Sequence, residues 1–380
     1  NRLSKQKKFD SHIYEDNDFL IAMTGEFYDI SEINGIIEGL NRNAPDKILK
    51  SIYAQFQNLE LISKIDGKFF VCLFDKKNNA LHLANDRYGL YPCYYYNKNG
   101  RFAFAFEIKA LLAAGDVEFI FDELSIVDFF TFEYVTDDRT FLRDIKIIPP
   151  GITIQITQSG IKRKKYWDFE FTQSLKLKSH DEYIEQHHLL LNNAVNIRIN
   201  NNEKAGLFLS GGLDSRLIAA HIRDNKKPTL SINFNSSKKL LDAKFSEQIA
   251  RLIGCNHHYF ELPPEVYKNY SEKFCYLNDG KTARHSYYYY LYREKIRTLD
   301  IDFLFIGHYG DNIHGSHITQ PRFDKSSADY IQQLCRYIVK TQALKRDISE
   351  ICQIFANSKI YKDYYDIIYG NVEQTIKHIK

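Results

Sequence analysis

Short apolar runs separated by polar turns fill the first third of the chain, and they predict strands. Phe19-Leu20-Ile21-Ala22-Met23 is one run, closed by Gly25. Lys68-Phe69-Phe70-Val71-Cys72-Leu73-Phe74 is a second. The turn-like Asp75-Lys76-Lys77-Asn78-Asn79 ends it, and Ala80-Leu81-His82-Leu83-Ala84 follows at once, which is a hairpin pattern. Two more strands, Cys93 to Tyr96 and Phe102 to Phe106, join through Lys98-Asn99-Gly100. Glu107 to Ala114 reads as a short helix stopped by Gly115. Helices also fit residues 45–57 and 122–132. Pro149-Pro150-Gly151 breaks the pattern, Ile152 to Ile156 alternates as a further strand, and Tyr166-Trp167 closes the region.

Residues 168–180 are polar with no period and read as a linker. Beyond them the pattern changes. Asp181 to Arg198 is helical, Ala205 to Leu209 is a short buried strand, and Asp214 to Asp224 is a helix. Thr229 to Phe234 is a strand, Asp242 to Ile253 a helix ended by Gly254, and His257 to Leu262 a strand. Asp302 to Ile306 is a last apolar strand, ended by Gly307. Strands and helices alternating at this spacing predict a parallel sheet with crossovers. The chain has 380 residues, too many for one ordinary core, so two domains are expected: 1–167 and 181–380.

Charge narrows the partners. With 51 basic and 48 acidic residues the net charge is +3, which gives no reason to expect nucleic acid or an anionic membrane. No apolar run is long enough to span a bilayer, and no signal peptide opens the chain. Cys72, Cys93, Cys255, Cys275, Cys335 and Cys352 are scattered without a CxxC pair, so free thiols in a reducing cytoplasm are expected. His187, His188, His257 and His258 lack ligand partners at metal spacing and read as solvated or packed residues. The chain opens on Asn1 rather than Met, and a fragment at both ends is expected.

One loop carries chemistry. The strand Gly206-Leu207-Phe208-Leu209 runs into Ser210-Gly211-Gly212-Leu213-Asp214-Ser215, and a helix follows. Two glycines let the backbone turn its N–H groups inward, and the helix adds unsatisfied N–H groups at the positive end of its dipole. Two serine hydroxyls add donors, and Asp214 can hold a magnesium ion that neutralises phosphate. A second acidic loop, Ile306-Gly307-His308-Tyr309-Gly310-Asp311-Asn312, stands at the end of a predicted strand, where parallel sheets bind ligands. Asp311 alone reads as a turn or N-cap residue; beside the first loop it is expected to share the magnesium with Asp214. Gly280-Lys281-Thr282 imitates a different phosphate loop, but its upstream glycine position is Cys275.

The Ser210–Ser215 string resembles the signature of the ATP-pyrophosphatases, and nearly the whole chain resembles the asparagine synthetase family. Its first half is similar to the glutaminase domain of class II amidotransferases. The matching strings, in order, are Asp66-Gly67-Lys68-Phe69-Phe70, Asn85 to Pro92, Phe106 to Leu112, Pro149-Pro150-Gly151 and Tyr166-Trp167. The resemblance implies an α+β first domain, an αββα Ntn-type sandwich, degenerate or truncated. An α/β doubly wound parallel sheet of the adenine nucleotide alpha hydrolase type is implied to follow. It implies ATP and Mg²⁺ as cofactors. Leu209, Ser210, Gly211, Gly212, Leu213, Asp214, Ser215, Ile232, Ile306 and Gly307 would form the nucleotide site, and Asp214 and Asp311 would bind the metal. A small-molecule or peptide carboxylate would be the substrate, with ammonia as nitrogen source, or glutamine if the complete chain has the family's N-terminal cysteine. A homodimer is the implied assembly.

Three departures bear on substrate choice. Thr24, Gly25, Glu26 and Asp86 match the family's glutamine pocket, but Thr24 replaces an asparagine whose amide serves the oxyanion, and a hydroxyl has a shorter reach. Only 23 residues precede Thr24, so most of the family's nucleophile-bearing stretch is absent, and no glutaminase activity is expected of the chain as written. Cys72 and Cys93 lie inside predicted strands and lack a free amino group as base. His308 stands where asparagine synthetases have a glutamate, and it can act as a base or be a loop residue without a role. Three readings follow: asparagine synthase, a relative that closes an intramolecular amide as β-lactam synthetases and lasso-peptide cyclases do, or a non-catalytic nucleotide-binding relative.

Overall fold

The computed structural model describes residues 11–115, 117–132, 134–170, 179–199, 204–224, 229–263, 265–281, 288–308, 310 and 332–333. Described residues between 11 and 170 group with 276–281, and those between 179 and 275 group with 288–310.

The amino-terminal unit begins with β1 (Ser11–Glu15) and β2 (Phe19–Asp29), then α1 (Ser31–Asn34) and α2 (Pro45–Phe56). Pro45 opens α2, at the one helical turn where a missing N–H is harmless. The strands β3 (Asp66–Asp75) and β4 (Ala80–Asn85) form the expected hairpin, with Asp75 opposite Ala80. Then come β5 (Tyr94–Lys98), β6 (Arg101–Ala105), α3 (Ile108–Ala113) and α4 (Glu123–Phe132). The unit ends with β7 (Ile145–Ile147), β8 (Ile152–Thr157) and β9 (Gly160–Lys165).

Two antiparallel sheets result, ordered β1-β2-β3-β4-β8-β9 and β6-β5-β7. Alternation along β3 explains how they stack. Phe69, Val71 and Leu73 face α1 and α2 with Ile33, Ile48, Leu49 and Ile52. Phe70 and Cys72 face the smaller sheet through Cys93, Tyr95 and Ile148. The outer side of the smaller sheet packs Tyr94 and Ile145 on Ile108 and Leu111 of α3. The layers are therefore helix, sheet, sheet, helix. The turn at Asn278–Lys281 belongs to this unit. Asp279 accepts hydrogen bonds from the Ile108 and Lys109 N–H groups at the start of α3, and Lys281 lies over the Tyr94 ring.

The carboxy-terminal unit starts with α5 (His180–Ile197), whose Ser179 and Glu182 form a capping box. It continues through β10 (Ala205–Phe208), α6 (Leu213–Asp224), β11 (Thr229–Asn235), α7 (Leu241–Ile253) and β12 (Asn256–Glu261). Then follow α8 (Val266–Leu277), α9 (Tyr288–Ile296) and β13 (Phe303–Ile306). Its sheet is parallel throughout, in the order β12-β11-β10-β13. Leu207 and Leu209 face α5, α6 and α7, while Phe208, Ile232 and Phe234 face Tyr292 and Ile296 of α9. Helices thus cover both sides of the sheet. Strand order reverses between β10 and β13, where such sheets open a crevice at their carboxyl ends.

Candidate functional site

The reversal point is where the sequence places its phosphate loop. Leu209 is fully buried and held at both ends of its peptide. Its N–H donates to the Ile232 carbonyl at 2.9 Å, and its carbonyl accepts from Asn233 Nδ2 at 2.8 Å. Asn233 is itself buried, and its Oδ1 has no hydrogen-bond partner. Past this anchor the chain turns through Gly211 at φ +89°, a left-handed conformation that glycine adopts without cost. A Cβ there would also meet the Asp242 Cα at 2.9 Å, so the start of α7 closes one side of the loop.

Polar groups of the loop organise one another and leave others facing out. The Gly212 N–H reaches Ser210 Oγ at 3.3 Å, and Ser215 Oγ donates to the Gly212 carbonyl at 3.0 Å. The two serine hydroxyls are 3.2 Å apart. Ser210, Gly212 and Leu213 are exposed, Asp214 is half-buried, and Ser215 is buried. The loop that follows β13 lies against the same groups. A Cβ on Gly307 would sit 2.8 Å from the Ser215 nitrogen, and one on Gly310 would sit 2.7 Å from both Asp214 carboxylate oxygens. The two glycines thus let this loop pack closely against Asp214 and Ser215. His308 is exposed, as is Ile306. Asp311 lies outside the described residues.

This arrangement fits a nucleotide with its metal. The N–H groups at the head of α6 suit phosphate, and the Asp214 carboxylate beside them suits a cation. Among the described residues no cluster of three or more His, Cys, Asp or Glu side chains stands ready for a metal. Magnesium needs no such cage, since it keeps waters and takes one or two carboxylates together with phosphate oxygens.

The second predicted constellation is built differently. Thr24, Gly25 and Glu26 lie in β2 opposite Phe70, Phe69 and Lys68 of β3. Gly25 has φ +102°, and a Cβ there would run into the Lys68 carbonyl and come within 2.8 Å of the Tyr91 ring. Asp86 follows β4 and also closes on Phe69, accepting its N–H at 3.2 Å. The carboxylate accepts further from Tyr88 N at 2.8 Å and Leu90 N at 3.1 Å, and the residue is wholly buried. Burial pushes its carboxyl above the ordinary range, against the pull of these backbone bonds. Strand register therefore brings the four residues to one place, with Asp86 spent on the Tyr88–Leu90 turn. The thiols nearby are unreactive in character: burial pushes Cys72 up to about 11 and Cys93 higher still.

Three residues that shape these sites were not singled out by the sequence reading. Asn233 anchors Leu209, Tyr91 seals Gly25, and Phe245 of α7 lies beneath the Arg216 guanidinium. A polar Asn inside an apolar strand was the one available signal.

Fold and loops together define a chain with an amidotransferase-type domain followed by an ATP-loop α/β domain. Residues 10–167 match the family described as glutamine amidotransferase domain, and residues 187–377 match asparagine synthase. The chain belongs to the asparagine synthetase family. It is 26% identical to asparagine synthetase [glutamine-hydrolyzing] 1 of Bacillus subtilis, over 71% of this chain and 43% of that one. It is 23% identical to asparagine synthetase [glutamine-hydrolyzing] of Zea mays, over 85% and 52%. It is 27% identical to amidase chyE of Penicillium rubens, over 66% and 40%. The chain therefore spans about half of these relatives or less. A solved glutamine phosphoribosylpyrophosphate amidotransferase of B. subtilis covers 68% of the chain and 51% of its own, at 10% identity and a TM-score of 0.29, which carries no argument. Among the described residues no helix is long and apolar enough to cross a membrane.

Proposed function

We propose that this chain joins a carboxylate to an amine by way of an acyl-adenylate, forming AMP and diphosphate from ATP. The observation that carries the reading is the approach of the Gly307–Gly310 loop to Asp214 at the reversal of the parallel sheet. The Ser210–Ser215 loop would hold the β- and γ-phosphates and leave the α-phosphorus open to the carboxylate. Magnesium, when bound through Asp214 and Asp311, would neutralise the phosphates. Ile232 would contact the adenine through its backbone, with Ile306 in the same site. Leu209, fixed by Ile232 and Asn233, sets where the loop begins. His308, exposed at the mouth of the crevice, can take a proton from the attacking amine.

Ammonia would supply the nitrogen, or glutamine if the complete chain has the family's N-terminal cysteine. Thr24 offers a hydroxyl in place of an amide, and the Cys72 and Cys93 thiols are held protonated. Thr24 and His308 favour ring closure on a substrate's own amine as a second reading. Both readings are tested by pyrophosphate release from Mg-ATP across a panel: aspartate with ammonium, aspartate with glutamine, and amine-bearing acids alone. Release with aspartate and ammonium supports the first, and release with an amine-bearing acid alone supports the second. Release with none of them, from protein that binds ATP, leaves the non-catalytic reading.

A further inference from the structure

Arg216 is the first residue after the Ser210–Ser215 string, in the opening turn of α6. Helical side chains lean toward the helix N-terminus, so a long residue here covers the loop rather than the helix body. The contacts agree. The Arg216 N–H donates to the Gly212 carbonyl at 3.2 Å, and Nε folds back to the same oxygen at 3.4 Å. The guanidinium carbon stands 6.0 Å from the centroid of the Phe245 ring, which supports it from α7.

This placement is electrostatically costly in the unliganded protein. A cation at a helix N-terminus opposes the positive end of the dipole. Among the described residues no carboxylate pairs with Arg216, and it is exposed. An anion arriving at the loop removes that repulsion and meets a planar donor fork suited to phosphate oxygens.

We propose that Arg216 binds the β- and γ-phosphates of ATP and holds the pyrophosphate as it leaves. The inference rests on the ATP-loop reading above. In the step concerned, a substrate carboxylate oxygen bonds to the α-phosphorus. The bond from that phosphorus to the bridging oxygen breaks, and its electron pair departs on pyrophosphate. Arg216 faces the group on which this charge gathers.

The test is calorimetric titration of Mg-ATP, AMP and Mg-pyrophosphate into wild-type protein, Arg216→Ala and Arg216→Lys. Losing one charge-assisted contact should weaken ATP and pyrophosphate about 10- to 100-fold in Arg216→Ala, leave AMP within about twofold, and be partly restored in Arg216→Lys. Arg216→Ala binding ATP and pyrophosphate as tightly as wild type overturns the inference and leaves the ATP loop standing. An equal loss of all three ligands also overturns it, since it marks a collapsed loop rather than a missing charge. Wild-type protein that binds none of the three overturns the inference and the ATP-loop reading together.

Discussion

The two constellations that the family shares are built on opposite plans in this chain. At the amino-terminal one, polar groups are consumed by the fold: Asp86 is wholly buried and accepts three backbone N–H groups, and Gly25 is sealed by Lys68 and Tyr91. At the carboxy-terminal one, the fold holds the backbone and leaves polar groups open. Leu209 is pinned from both sides, yet Ser210 and Gly212 stay exposed and Asp214 is only half-buried. A carboxylate in a matching string is thus no guide to its job. Asp86 is wholly buried, whereas Asp214 is half-buried beside exposed loop residues.

Substitutions sharpen the contrast. Asp86→Ala strips three buried N–H groups of their acceptor and should destabilise the protein by about 3 kcal/mol or more, read by denaturant unfolding. Asp214→Asn should do the reverse: unfolding stays near wild type, while ATP-dependent pyrophosphate release falls about 100-fold or more through loss of the metal's charge partner. If Asp214→Asn unfolds as readily as Asp86→Ala, the contrast is broken. Gly310→Ala puts a methyl group 2.7 Å from the Asp214 oxygens and should cost about tenfold in Mg-ATP affinity, with the melting temperature little changed.

The smallest effect is a pH dependence of the amino-terminal core. Tyr53 OH bridges Asp75 Oδ2 at 3.1 Å and His82 Nε2 at 3.0 Å, all buried. Burial holds the His82 imidazole below its ordinary value of 6.5, although the Asp75 charge works the other way. The unfolded imidazole protonates near 6.5, so below that pH unfolding takes up a proton. Stability should therefore decline as pH falls from 6.5 toward the depressed folded value, and be fully present above it. His257, also lowered by burial, adds to the slope, so His82→Gln should flatten the profile only in part. An unchanged slope in His82→Gln would remove His82 from this account. The Asp75 carboxyl, held low by Asn78 and Tyr53 against burial, acts in a separate window below 3.8.

Much of this was legible in the residues. Strands β3 and β10 announce themselves because both faces are covered, so apolar residues run on with few breaks, and β4 and β11 keep a clear apolar set despite buried His82, Ser231 and Asn233. Strands β1 and β9 did not, because each lies at a sheet edge and carries polar or charged residues there: Ser-His-Ile-Tyr-Glu and Gly-Ile-Lys-Arg-Lys-Lys. The run expected to close at Gly25 continues to Asp29, since glycine here permits a close strand approach instead of a turn. Helices α8 and α9 were missed because tyrosines and lysines blur their apolar stripe. The loop Ser210–Ser215 was legible as a string, and the second loop was expected beside it through Asp214 and Asp311, but the close packing of Gly307 and Gly310 on Ser215 and Asp214 was not. That contact joins residues about 95 apart in sequence and depends on β13 inserting beside β10.

The most direct test is phosphorus NMR of Mg-ATP incubated with the protein, aspartate and ammonium. The account predicts growth of AMP and pyrophosphate signals, from cleavage between the α- and β-phosphates. Growth of ADP and orthophosphate signals, or ATP that neither binds nor turns over, would contradict it.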